Sequence, residues 1–587
     1  MGGPLHLQTD LRAALHVATS AARSLSVSFP CAVSFSVRLL PLGLRAFSAR
    51  VSSSDVLKAL EEKPPLCTAD ELHYVSVPNS GWRLALWRYL PSPQAPARNH
   101  PLLLLSGVGT NAIGYDLSPD SSFARYMSGE GFDTWILEVR GAGLSIYSSA
   151  SKDIKKTARE RNDLMEAVAQ SGNNCVPAEQ TEQNLVNGAS LLIRQEFQTP
   201  TIEPEGLSKT WDQSTLVSEL TETFMRLSER LSGFLSEGQL KIMSAKLFDR
   251  ISKLLEEFQL SEHYNEIRVK LSNLLEESSQ GTAISSQIKD LSERLVNIID
   301  EGQRSVSPPL FNLQERFYST IEDFQKQLDL IVMYDWDFDH YLDEDVPAAM
   351  EYVNKVTKPK DGKLLAIGHS MGGILLYARL SRCAFEERDP QLKAIVTLAS
   401  SLDYTSSKSA LKLLLPLADP AQALNVPVVP LGAMLSAAYP LSSQPPYVLS
   451  WLTNLISAQD MMQPELLKKL VLNNFGTIPA KLILQLTTAF KAGGLSDRWG
   501  KFFYKNYMHK INVPILALAG DEDLICPPEA VEETVKIIPE DLISYKVLGG
   551  PDGPHYAHYD LVGGRLAVQQ VYPCIVEFLS TNDGCSE

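Results

Sequence analysis

The sequence predicts an α/β protein: a doubly wound, mostly parallel sheet with a large helical insertion and a helical cap. Three observations carry that expectation. Apolar runs without polar alternation recur, as in HPLLLLSG, FDTWILEVRG and VPILALAG, the pattern of strands covered on both faces. Helical patterns separate these runs, as a parallel sheet requires. The stretch LLAIGHSMGGILLYARL, residues 364 to 380, passes from a strand through Gly-His-Ser-Met-Gly into a helix.

Taken in order, the elements begin after an unusual N-terminus. The first 54 residues hold five arginines, no lysine and one acid, Asp10, among many serines and alanines. That is the composition of an organellar transit peptide, expected over residues 1–55, and its Ser and Val content leans towards plastid over mitochondrion. The first segment of the sheet core is expected over 60–149. HYVSVPNSGWRLALWRYL reads as a hairpin about Pro78-Asn79-Ser80-Gly81. A buried strand, a capped helix in SPDSSFARYMSGEG and a second buried strand follow. Residues 150–333 change character. Leu220, Phe224, Leu227, Leu231 and Phe234 are spaced 4-3-4-3, as are Ile284, Ile288, Leu291, Leu295 and Ile298. This predicts a helical insertion, an antiparallel bundle or coiled-coil-like arm, whose stripes pack on one another or dock a protein partner.

The second core segment is expected over 334–405, with a helix in YDWDFDHYLDEDVPAAMEYV, the elbow and the strand LKAIVTLAS. Between Asp419 and Asp460 there is no charged residue, and seven prolines lie from 416 to 446. Interior prolines break long helices, so 406–508 should form a cap of short helices on the strand edge that carries Ser370. The third core segment, 509–580, supplies a strand, the helix PPEAVEETVKII, the strand LISYKVLGG and a closing helix RLAVQQVYPCIVEFL.

Composition bounds the function. With 587 residues, 44% hydrophobic and 21% charged, the chain is globular and long enough for more than one structural unit. A net charge of −16 argues against nucleic acid, whose phosphates need clustered Lys and Arg. Seven scattered cysteines show no C-x-x-C, no zinc spacing and no disulfide framework. Cys526 reads as a small buried hydrophobe. No uncharged run reads as a membrane span. The pair Gly107 and Gly109 is too weak a signal for a nucleotide loop, so neither a metal nor a cofactor is required.

The chemistry begins at Ser370. Strand, sharp turn and helix form a nucleophile elbow, where the serine backbone is strained and small residues flank it. A serine nucleophile needs a base, and the base needs an acid to orient it. Three histidines follow Ser370: His509, His555 and His558. His509 precedes the late strand and would break the order Ser, acid, His. His555 and His558 both lie after the last strand, and AGDEDLICPP offers Asp521, Glu522 and Asp523 as acids.

With these residues in place, the chain resembles the α/β-hydrolase superfamily, in particular its lipase-like and polyhydroxyalkanoate-synthase-like branch, of plant organellar type. Gly368-His369-Ser370-Met371-Gly372 looks like the elbow of that family. Gly520-Asp521-Glu522-Asp523 is similar to its G-x-x-D motif, which selects Asp523. His558-Tyr559-Asp560 resembles the H-x-D of the acid lipases, which selects His558. Arg140 to Ser145 resembles the R-G-x-G-x-S after the fourth strand. One departure is Ser106-Gly107 where those lipases carry His-Gly. The resemblance spans about half the chain and leaves 150–333 unmatched.

What it implies is acyl transfer through Ser370, His558 and Asp523, with the backbone N–H groups of Val108 and Met371 as oxyanion hole. The synthases use cysteine as nucleophile, so the serine here points to hydrolysis or transfer through a serine ester. The expected substrate is a small-molecule or lipid ester, with a peripheral membrane contact through the cap. An acyltransferase on the same triad and a non-catalytic protein working through its insertion are the rival readings.

Overall fold

The structure is a computed structural model, and it describes residues 66–147, 333–417, 428–443, 449–551 and 553–584. The expected transit peptide lies outside the described residues, as does the helical insertion save its last residue. A nine-stranded sheet forms the centre. Its main strands are β1 (Glu71–Ser76), β2 (Trp82–Tyr89), β3 (Leu102–Leu105), β4 (Thr134–Glu138), β5 (Leu364–His369), β6 (Leu392–Leu398), β7 (Ile515–Gly520) and β8 (Ile543–Leu548). They are ordered β1-β2-β4-β3-β5-β6-β7-β8, and a short strand, Ile146–Tyr147, pairs with β2. β1 and β2 pair antiparallel, as do β2 and β4; every later neighbour is parallel. This is a mixed, mostly parallel sheet with flanking helices, the α/β-hydrolase fold.

Burial explains why these runs became strands. All four leucines of β3 and all six residues of β5 are buried, because helices cover both faces at the centre of the sheet. β8 lies on the edge, and its ISYKVL reads intermediate, exposed, intermediate, exposed, exposed, buried. The hairpin turns through Asn79 at φ 57°, a left-handed conformation that asparagine tolerates.

Helix α1 (Phe123–Gly129) is capped by Ser122, whose Oγ accepts from the Arg125 N–H. The run expected as one helix before the elbow is divided. A short turn at Phe338–His340 and a wide turn at Tyr341–Asp345 lead into α2 (Val346–Thr357), which starts with Pro347 in its first turn. Asp345 is buried there, its carboxylate held by the Arg140 guanidinium and backbone N–H. That bond anchors the wide turn to the loop after β4. Helix α3 (Met371–Phe385) runs away from the elbow with twelve buried residues, as expected of a helix against the sheet centre.

Beyond β6, the described residues of the 406–508 segment include α4 (Leu431–Ser443), α5 (Ser450–Ile456), α6 (Pro464–Asn473) and α7 (Ala480–Leu486). None of these exceeds thirteen residues, and α4 admits Pro440 near its end. Helix α8 (Pro528–Val535) follows β7. The closing helix is also interrupted: a turn at Ala567–Gln570 precedes α9 (Tyr572–Asp583), because Pro573 restarts the helix in its own first turn. Among the described residues no helix is long and apolar enough to cross a membrane.

Candidate active site

Ser370 sits between β5 and α3 with φ 55° and ψ −120°, a backbone conformation rare for a residue with a side chain. Its neighbours hold it there. The Ser370 N–H donates to Leu398 O at 2.9 Å, and Ser400 Oγ donates to Ser370 O at 2.8 Å, so the end of β6 braces the turn. Gly372 has no alternative at its position, because a Cβ would run into the carbonyl of Leu105 at the end of β3.

The loop after β3 passes directly beside the serine. A Cβ on Gly107 would stand 3.4 Å from Ser370 Cβ and 3.8 Å from its Oγ. Val108 follows in that loop, and Met371 begins α3. Neither backbone N–H is drawn into the turn and cap hydrogen bonds of the described residues. Ser106, which departs from the His-Gly pattern, has its Oγ buried with no hydrogen-bond partner among those residues.

The acid and the histidine arrive from the next strand ends. Asp523 follows β7 and is 1% exposed. Its Oδ1 accepts from the N–H groups of Ile525 and Cys526, both at 2.8 Å, and its Oδ2 lies 2.8 Å from His558 Nδ1. A carboxylate can only accept here, so Nδ1 of His558 carries the proton and Nε2 is left as the basic nitrogen. His558 is itself 3% exposed.

His555 forms a second pair, with Asp521 Oδ2 at 2.6 Å from its Nδ1. That hydrogen bond raises the histidine's pKa, but the side chain is 40% exposed and the pair lies on the surface. Asp521 also accepts from the Tyr556 N–H, so its carboxylate is committed to the loop. Glu522 is exposed and stands 3.8 Å from His555. The two histidines differ chiefly in burial and in nearness to the elbow. The His558 ring is 4.7 Å from that of His369, the residue before Ser370.

Segment 456–476 closes over this edge of the sheet. Gly476 N–H donates to Gly109 O at 2.7 Å, and Asn474 binds the turn at Asn111 and Gly114. On the other side, Tyr559 N–H donates to Ile456 O at 2.8 Å. Asp560 is fully buried and takes three bonds: from Ser457 Oγ at 2.6 Å, Ala458 N–H at 2.7 Å and Ala557 N–H at 2.8 Å. Burial pushes its carboxyl up to about 6 even though those donors favour the charged form. The sequence flagged Asp560 only as a member of H-x-D and gave no sign of its partners in the cap. Among the described residues no group of three or more His, Cys, Asp or Glu could hold a metal.

No protein-family model and no curated protein matches the chain. Solved structures do. A monoacylglycerol lipase from Paleococcus ferrophilus aligns with 17% identity, covering 40% of this chain and 76% of that one, with a TM-score of 0.27. A soluble variant of monoglyceride lipase from Saccharomyces cerevisiae, in complex with a substrate analog, has 11% identity, 88% and 97% coverage and a TM-score of 0.37. A thermophilic esterase from Thermogutta terrifontis gives 10%, 88% and 100%, and 0.34. The fold assignment rests on this chain's own strand order and on the Ser370 turn between β5 and α3.

Proposed function

We propose that this protein is a serine hydrolase of carboxylic esters, acting on lipophilic acyl substrates. The observation that supports it is the buried Asp523–His558 pair set against the strained Ser370 turn, with each partner at the carboxyl end of its own strand. In this reading His558 Nε2 takes the Ser370 proton as Oγ attacks the ester carbonyl. Asp523 keeps Nδ1–H aimed and stabilises the imidazolium, and the Val108 and Met371 N–H groups bind the oxyanion. Collapse expels the alcohol, which takes the proton from His558. Water, deprotonated by the same nitrogen, then releases the acid and restores Ser370.

The lipophilic preference follows from the cap. Residues 420 to 459 carry no charge, and Met434 and Leu441 of α4 are 46% and 40% exposed. The test is labelling by a fluorophosphonate, with wild type and Ser370→Ala side by side, followed by a series of p-nitrophenyl esters from acetyl to long acyl chains. Labelling lost in the variant, together with rates rising steeply with chain length, is the expected result. Persistent labelling at another serine overturns the site, and a flat series overturns the lipophilic substrate.

A further inference from the structure

His369 is an anomaly in the elbow. It is the last residue of an otherwise apolar strand, is 3% exposed, and carries a polar ring where an aliphatic side chain would cost less. Its ring Nε2 lies 2.9 Å from the backbone carbonyl oxygen of His558. A carbonyl accepts and cannot donate, so the contact fixes the tautomer: Nε2 bears the proton. Burial, assisted by the neighbouring His558, pushes its pKa down to about 3, and the ring is neutral at any working pH. The rings of His558 and Tyr559 both lie 4.7 Å from that of His369 and pack against it.

We infer that His369 is a positioning residue: its Nε2–H holds the backbone of His558, so the elbow that carries the nucleophile also sets the place of the base. This rests on the ester-hydrolase reading above and deepens it. Asp523 fixes how the His558 ring is turned, through Nδ1, while His369 fixes where that residue's main chain stands. The two constraints are independent, since one acts on the side chain from the loop after β7 and the other on the carbonyl from the end of β5. The neutrality of His369 matters too. A second positive charge 4.7 Å from His558 would oppose the imidazolium that forms as Ser370 attacks.

The test replaces the donor and keeps the shape, and then the reverse. His369→Phe retains a ring and loses the N–H. In His369→Gln the amide nitrogen falls where Nε2 was, and in His369→Asn it falls where Nδ1 was, out of reach of the carbonyl. Misplacing a reacting group by about 1 Å costs about 100-fold, so Phe and Asn should lower kcat by about 10- to 100-fold. KM should stay within about twofold, and Gln should recover most of the rate. Fluorophosphonate labelling rates should follow the same ranking, and thermal melting of each variant separates positioning from unfolding. A Phe variant at wild-type kcat, or Asn equal to Gln, overturns the inference while leaving the hydrolase intact. If Phe does not fold, the Gln-to-Asn ratio decides alone. A wild type that neither labels nor turns over esters overturns both readings.

Discussion

Ser370 pays for its geometry with a φ of 55°, and a residue held in such a conformation is worth keeping only if its side chain is used. Removing the hydroxyl should therefore cost function and not stability. Ser370→Ala is expected to lower ester hydrolysis by about 10⁴-fold or more with an unchanged melting temperature, read by steady-state kinetics and calorimetry. The histidines give a paired prediction. His558→Ala should match that loss, whereas His555→Ala, which breaks only a surface pair with Asp521, should change kcat less than about threefold. The reverse ranking would move the base to His555. At this scale the order of residues left a choice, which only the resemblance to known motifs made, in favour of Asp523 and His558. It offered three acids and two histidines within two short loops. Which acid meets which histidine depends on how the loops after β7 and β8 fold against each other, which composition and spacing alone do not encode. His369 stood within its motif without a role, since its partner lies far along the chain.

At the scale of elements, apolar runs located β3, β4, β5, β6 and β7 because burial on both faces leaves no other pattern open. Helices were harder. Pro347 and Pro573 each begin a helix where the apolar spacing alone suggested continuity. The contacts of Asp560 were beyond sequence reading altogether, although they join two elements on which the site depends. Its carboxyl is displaced from an ordinary 3.8 to about 6, which corresponds to about 3 kcal/mol of preference for the neutral form in the folded state. The sign follows. Between those two values the folded protein binds a proton that the unfolded chain has lost, so stability falls as pH rises from about 4 through about 6. Asp560→Asn can keep all three contacts, with its oxygen accepting from Ala458 and Ala557 and its amide donating to Ser457. Denaturant unfolding from about pH 4 to about pH 7.5 should show a flatter profile for this variant than for wild type. In the cap itself, a charge at Trp451 or Leu455, both half-buried in α5, should erase any preference for long acyl chains before it lowers the melting temperature. Esterase profiling of Leu455→Asp checks this.

For the whole molecule, the relevant contact is at one edge of the sheet. Trp82 of β2 lies 5.5 Å, ring to ring, from Tyr147 and 5.2 Å from Trp336. Tyr147, at the end of the short strand paired with β2, and Trp336, just ahead of the turn at Phe338–His340, thus meet one indole, with residues 148 to 335 between them in sequence. Trp82 therefore acts as a clasp, and the connection between its two sides need not be continuous for the sheet to hold. A protease that nicks the chain between 148 and 335 should leave two fragments that migrate together under native conditions and separate in denaturant. The C-terminal fragment, which carries Ser370, should still take up the fluorophosphonate, at close to the rate of the uncut protein.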